Sequence, residues 1–85
     1  MLLPADPSIR LLSPMRWTTA RMDQLERAIR DGLRISLMRR GSEHIVVARR
    51  LTTVNSRDAV IGLVPMTGAE LTFVLDDIDD FFLLS

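Results

Sequence analysis

The chain contains no cysteine, no tyrosine and no lysine, and its aromatic residues stop at Trp17, Phe73, Phe81 and Phe82. Without cysteine there is neither a disulfide nor a thiolate metal ligand, so a chain this small depends on packing or self-association for its stability. So few rings leave few platforms on which nucleic-acid bases could stack. The core has to be built from Leu, Ile, Val and Met. No apolar run approaches the ~20 residues that cross a bilayer as a helix. The opening "MLLPADPSIRLLSPMRW" lacks a basic start and is broken by Pro4, Asp6, Pro7 and Pro14, unlike a secretory signal. A soluble, cytoplasmic protein with no membrane contact is expected.

What is present is an apolar, charge-balanced chain. Its 85 residues are 47% hydrophobic and 26% charged, which suits one folded domain and argues against disorder. The net charge is zero but unevenly placed. All 11 basic residues are arginines, none lies beyond Arg57, and residues 58–85 carry Asp58, Glu70 and four aspartates, Asp76, Asp77, Asp79 and Asp80. The result is a basic body with an acidic end. Arginine's flat, weakly hydrated fork suits interfaces and phosphates.

Residues 1–17 read as an extended, proline-containing arm, because proline fixes φ and biases the residue before it toward extended backbone. Its apolar residues Ile9, Leu11, Leu12, Met15 and Trp17 predict that it packs back on the domain. Residues 18–85 form a single helix-plus-barrel domain. Asp23 followed by Glu26 predicts a helix start of the capping-box type, with Thr18 or Thr19 as a start one turn earlier. Met22, Leu25, Ala28 and Ile29 mark one helical face, and Gly32 ends it. From Leu33 the period becomes two. "LRISLMRR" is a half-buried strand, Arg40 to Glu43 a turn, and "HIVVARRL" a second, antiparallel strand. "AVIGLVP" is a third, with Gly62 at a bulge or bend. "AELTFVL" is a fourth, and after a single turn at Asp76 to Asp80 the chain closes with a short strand from Phe81 to Leu84. About five short antiparallel strands behind one helix predict a mainly β fold, a small open barrel. A sheet with the helix laid across one face is the alternative.

The residues of chemical interest favour binding over catalysis. "DDIDDF" lacks the alternating oxygens, central glycine and terminal glutamate of a calcium loop, so no metal is expected. Neighbouring carboxylates on one turn cannot face each other across a substrate cleft. His44 is the single histidine, with no second ligand or nucleophile beside it, and reads as a surface residue. No nucleophile elbow and no phosphate loop is present. Neither an enzyme nor a cofactor is expected. Two charged groups remain. Asp76, Asp77, Asp79 and Asp80 form a candidate acidic ridge for a basic protein partner, with Leu75, Ile78 and Phe81 or Phe82 turned inward. Arg34, Arg39, Arg40, Arg49 and Arg50 form a candidate basic patch for nucleic acid, on the premise that the hairpin brings the two arginine pairs together. Pairing of the two groups between copies would give a homo-oligomer, and the arm with the terminal strand is a second candidate interface for self-assembly.

Asp23 to Ala28, then Leu33-Arg34-Ile35-Ser36-Leu37 before a tight turn, then Glu70 to Ile78, resemble the Rof family of Rho-binding antitermination proteins in order, spacing and length over residues 22 to 82. That resemblance implies a short helix before a five-stranded Sm-like or SH3-like barrel. It also implies a regulatory, non-enzymatic role in transcription, through binding the terminator Rho and hindering its hold on RNA. The closing Phe73-Val74-Leu75-Asp76-Asp77-Ile78 also resembles the WYL domain, an Sm-like module that senses ligands or nucleic acid in bacterial regulators.

Overall fold

A computed structural model describes residues 17–85; the expectations for the arm, Trp17 excepted, lie outside the described residues. The fold is one helix, α1 (Thr19–Asp31), followed by five antiparallel strands, β1 (Arg34–Arg39), β2 (Ser42–Val54), β3 (Arg57–Leu63), β4 (Glu70–Val74) and β5 (Asp80–Leu83), with a one-turn 3₁₀ helix, Leu75–Asp77, between the last two. The strands form a single sheet in the order β4-β3-β2-β1-β5. The fold is mainly β, as the alternation predicted, and fits the description of a small open barrel. No described helix is long and apolar enough to cross a membrane.

The helix starts one turn before Asp23. Thr18 holds extended backbone and its hydroxyl accepts the Arg21 N–H at 3.2 Å, satisfying one of the donors that a helix start leaves unpaired. Asp23 therefore sits inside the helix. At the far end Gly32 adopts φ 64° and its N–H reaches Ala28 and Ile29 oxygens, the left-handed stop expected of glycine. Leu25 and Ala28 are fully buried, and join Ile35, Leu37, Val46, Ala48, Val60, Phe73, Leu75, Ile78 and Phe81 in one core.

The β1–β2 connection is tighter than a four-residue turn. Arg39 pairs with Ser42, leaving only Arg40 and Gly41 between the strands, at φ 52° and 80°. Positive φ at both central residues is the type I′ signature, whose twist matches that of the strands. The β2–β3 hairpin repeats the device with Asn55 and Ser56, at φ 52° and 65°. The bulge belongs to β2, where the register slips between Ala48 and Arg50. The extra residue, Arg49, shifts the alternation by one. Val46 and Ala48 face the core before it; after it the matching position falls to Leu51, which pairs with the buried Val60 but is itself 38% exposed. Gly62 lies directly across, paired with Ala48.

At the other end of the sheet, β5 is an edge whose middle is covered by side chains. The Phe81 carbonyl accepts from Arg21 Nη1 at 3.2 Å, the Phe81 N–H donates to Asp80 Oδ1 at 2.8 Å, and Arg21 pairs with Asp80 at 3.4 Å. Inward-reaching charges of this kind deter pairing with another chain. Arg21→Ala is expected to lower the melting temperature by roughly 4–8 °C, the equivalent of about 1 kcal/mol in a domain this size, and to bring forward the onset of light scattering on heating. An onset unchanged relative to the new melting point would show that the pair does not guard the edge.

Candidate functional site

The terminal aspartates are tied to their own chain. Leu75, Ile78 and Phe81 are buried, as the three-residue spacing predicted, and Phe82 is the outward member of the pair, 54% exposed. Between them, Asp76 and Asp77 lie 3.3 and 3.9 Å from the Arg57 guanidinium. Asp79 Oδ2 accepts the Arg40 N–H at 2.9 Å. Asp80 is held by Arg21 and the Phe81 N–H. Each carboxylate of the ridge thus fastens one element to another: the β2–β3 hairpin to the 3₁₀ turn, the β1–β2 hairpin to the approach of β5, and α1 to β5. Exposed pairs of this type contribute at most about 1 kcal/mol each. Each contact engages one oxygen of its carboxylate, and the Asp76 side chain remains 70% exposed.

The five candidate arginines do not form one patch. With Arg39 opposite Ser42 and Arg34 opposite Val47, the two-residue turn leaves Arg49 and Arg50 beyond the start of β1. From Ser42 to Arg49 the strand advances about 23 Å at ~3.3 Å per residue. The premise that the hairpin unites the two pairs is therefore corrected. Arg39 and Arg40 stand at its closed end, while Arg34, Arg49 and Arg50 stand at its open end. Arg50 is paired with Glu70 at 3.7 Å. Arg34, Arg39, Arg40 and Arg49 make no ion pair among the described residues.

The closed end is the more elaborately built of the two. Arg39, Arg40, Ser42, His44 and Asp77 line an open cavity of about 410 Å³. Strand alternation sends Arg39, Ser42 and His44 to the same side as the buried Leu37, so they surround the mouth of the barrel. Phe73, fully buried, supports two of them: the Arg39 guanidinium carbon lies 4.9 Å from the ring centroid and the His44 ring 5.3 Å from it, tilted by 58°. A guanidinium over an aromatic face is held by the ring quadrupole and loses little of its hydrogen-bonding capacity. Asp77 contributes the one carboxylate of the lining, and Arg57 lies beside it. Arg40 holds left-handed backbone, which costs a residue with a Cβ roughly 1–2 kcal/mol; its N–H bond to Asp79 offsets part of that strain.

His44 is thus half-buried against Phe73 rather than a plain surface residue. Its parity with Val46 on β2, both opposite inward residues of β1, is the sequence signal that would have placed it. Among the described residues no group of three or more His, Cys, Asp or Glu is arranged to hold a metal ion. No family model, curated protein or solved structure matches the chain.

Proposed function

We propose that this protein is a small, non-enzymatic binding module that takes the phosphates of single-stranded RNA at the mouth of its barrel, on Arg39 and Arg40 with Ser42 and His44 beside them. The observation that carries this reading is the division of the charges. Every aspartate of the acidic run has a partner within the chain, whereas Arg39 and Arg40 stand at a cavity and make no ion pair among the described residues. Arginine forks match phosphate oxygens in pairs, and such charge-assisted bonds contribute roughly 1.5–3 kcal/mol each. The single carboxylate, Asp77, disfavours simple charge attraction and suits a ligand that also offers a donor, such as a ribose hydroxyl or a base amino group. The Sm-like character implied by the resemblance to the Rof and WYL families accords with a macromolecular ligand. Binding Rho through the aspartates is the rival reading.

Fluorescence anisotropy with a labelled single-stranded RNA, read across salt concentration, tests this. Arg39→Ala with Arg40→Ala is expected to weaken binding at least about tenfold. It should also flatten the log-log salt dependence by about 1.4, because each phosphate neutralised on a single strand contributes ~0.7 to the slope. Arg49→Ala is expected to change neither appreciably. Salt-independent binding, or equal losses at both ends of the hairpin, would contradict the assignment. Capture of Rho by the full chain without RNA affinity, abolished by Asp76→Asn with Asp79→Asn, would establish the rival reading instead.

Arg40→Asn separates function from stability. Asparagine tolerates the left-handed region better than arginine, so the variant is expected to gain several tenths of a kcal/mol in stability while losing RNA affinity. A loss of both would mean that Arg40 supports the turn and not the ligand.

A further inference from the structure

The outer face of the β5-β1-β2 sheet carries an apolar patch that the barrel itself leaves uncovered. Ser36 is paired on one side with Ile45 and on the other with Phe82, so the three stand in a row across the strands. Ile45 is 48% and Phe82 54% exposed, and Leu84, the next outward position after Phe82, is 49% exposed. Met38 and Val47, half-buried, lie on the same face in the adjoining rows. Ser36 is only 3% exposed although it points away from the core; its hydroxyl bonds Glu43 at 2.5 Å between these larger neighbours. Contiguous outward apolar residues with a polar rim mark a surface meant to be covered.

The charges on the rim indicate what covers it. Arg34, exposed and without an ion pair among the described residues, stands one row to one side of the Ser36 row, and Glu43, exposed, stands one row to the other side. We propose that the occupant is a second copy of this chain, packed face to face about a two-fold axis that runs between the two sheets and across the strands near Ser36. That operation lays Ile45 and Phe82 against the same residues of the other copy. It also turns the Arg34 end of each copy onto the Glu43 end of the other, so one complementary contact is made twice. A surface whose own two ends carry opposite charges is self-complementary under such an axis, which is the defining property of an isologous interface. The sheets then pack with their strands nearly aligned, as sheets stacked face to face do. The barrel mouth, lined by residues of the inner face, is left open in both copies, so this inference stands independently of the RNA-binding reading.

Sedimentation velocity of the full chain over a range of concentrations, with circular dichroism as the control for folding, tests the interface. The unmodified chain is expected to sediment as a dimer at micromolar concentration, and Phe82→Glu as a folded monomer. Arg34→Glu and Glu43→Arg are each expected to weaken association at least about tenfold, because like charges then meet twice. The double variant carrying both is expected to recover the dimer to within a few-fold, the mark of a direct pairing between copies. A chain that remains monomeric at every concentration, as it would if residues 1–16 covered the patch, overturns the proposal. So does a dimer that survives Phe82→Glu, or one that the two single charge reversals leave unchanged.

Discussion

Phe81→Ala is expected to cost about 3–5 kcal/mol, the range for truncating a fully buried phenylalanine, and to lower the melting temperature by roughly 15 °C or more. The residue joins three parts of the molecule. It pairs with Leu37 in the sheet, its ring stacks on Trp17 at 5.3 Å with the planes 14° apart, and the Arg21 guanidinium lies 5.5 Å from its centroid. Trp17 is further pinned by its indole N–H, which donates to the Leu75 carbonyl at 2.8 Å. Removing the ring leaves a cavity between helix, entry segment and last strand at once. For a domain of this size the total stability lies toward the low end of the usual 5–15 kcal/mol, so the variant is expected to be partly unfolded at 37 °C. Thermal and urea melts followed by circular dichroism measure the loss. Phe81→Leu, which keeps most of the volume, should lose chiefly the stacking on Trp17, about 0.5–1.5 kcal/mol. Equal losses for the two substitutions would show that the ring, and not the filled volume, matters at this site.

Gly62→Ala is expected to destabilise by about 1–3 kcal/mol, through crowding rather than through a cavity. A Cβ at this position would lie 2.8 Å from Val46 Cβ, and closer still to Val46 Cγ2. Val46 is itself 1% exposed, so it has no free space into which to turn. The backbone conformation of Gly62 is not the issue, since it is an ordinary strand residue paired with Ala48 and Leu71. The test is a double-mutant cycle in urea. Val46→Ala alone leaves a void and destabilises, but in combination with Gly62→Ala part of that void is refilled. The pair should therefore cost clearly less than the sum of the two single substitutions. Strict additivity would exclude the Val46 contact as the reason for glycine.

These two positions show what is readable in the chain and what is not. Leu75, Ile78 and Phe81 can be assigned to the interior from their three-residue steps, because a run that must bury one side repeats its apolar residues at the period of its backbone. Whether Phe81 or Phe82 turns inward is not fixed locally, since both are equally apolar; the register of β5 against β1 decides it. Gly62 is legible as an irregularity but not as a close contact, for the bulge lies across the sheet at Arg49 and the crowding atom belongs to Val46. The helix is readable at its end, where Gly32 is the one left-handed stop available, and less so at its start, where both Thr18 and Asp23 are chemically able caps.

The candidate sites divide in the same way. The chain's residues set the inventory: a mainly β chain behind one helix, arginine as its only fixed cation, an acidic terminus, and no cysteine for thiolate ligation. Those follow from composition and from the local period of the side chains. Which charges are paired and which remain available was decided only by the tertiary structure. Arg57 and Arg21 are distant in sequence from the aspartates they meet, and the two-residue turn at Arg40 and Gly41 separates arginine pairs that look adjacent on paper. Ion pairing and cavity formation depend on distances between strands, and strand register is a property of the assembled sheet that no local window of sequence contains.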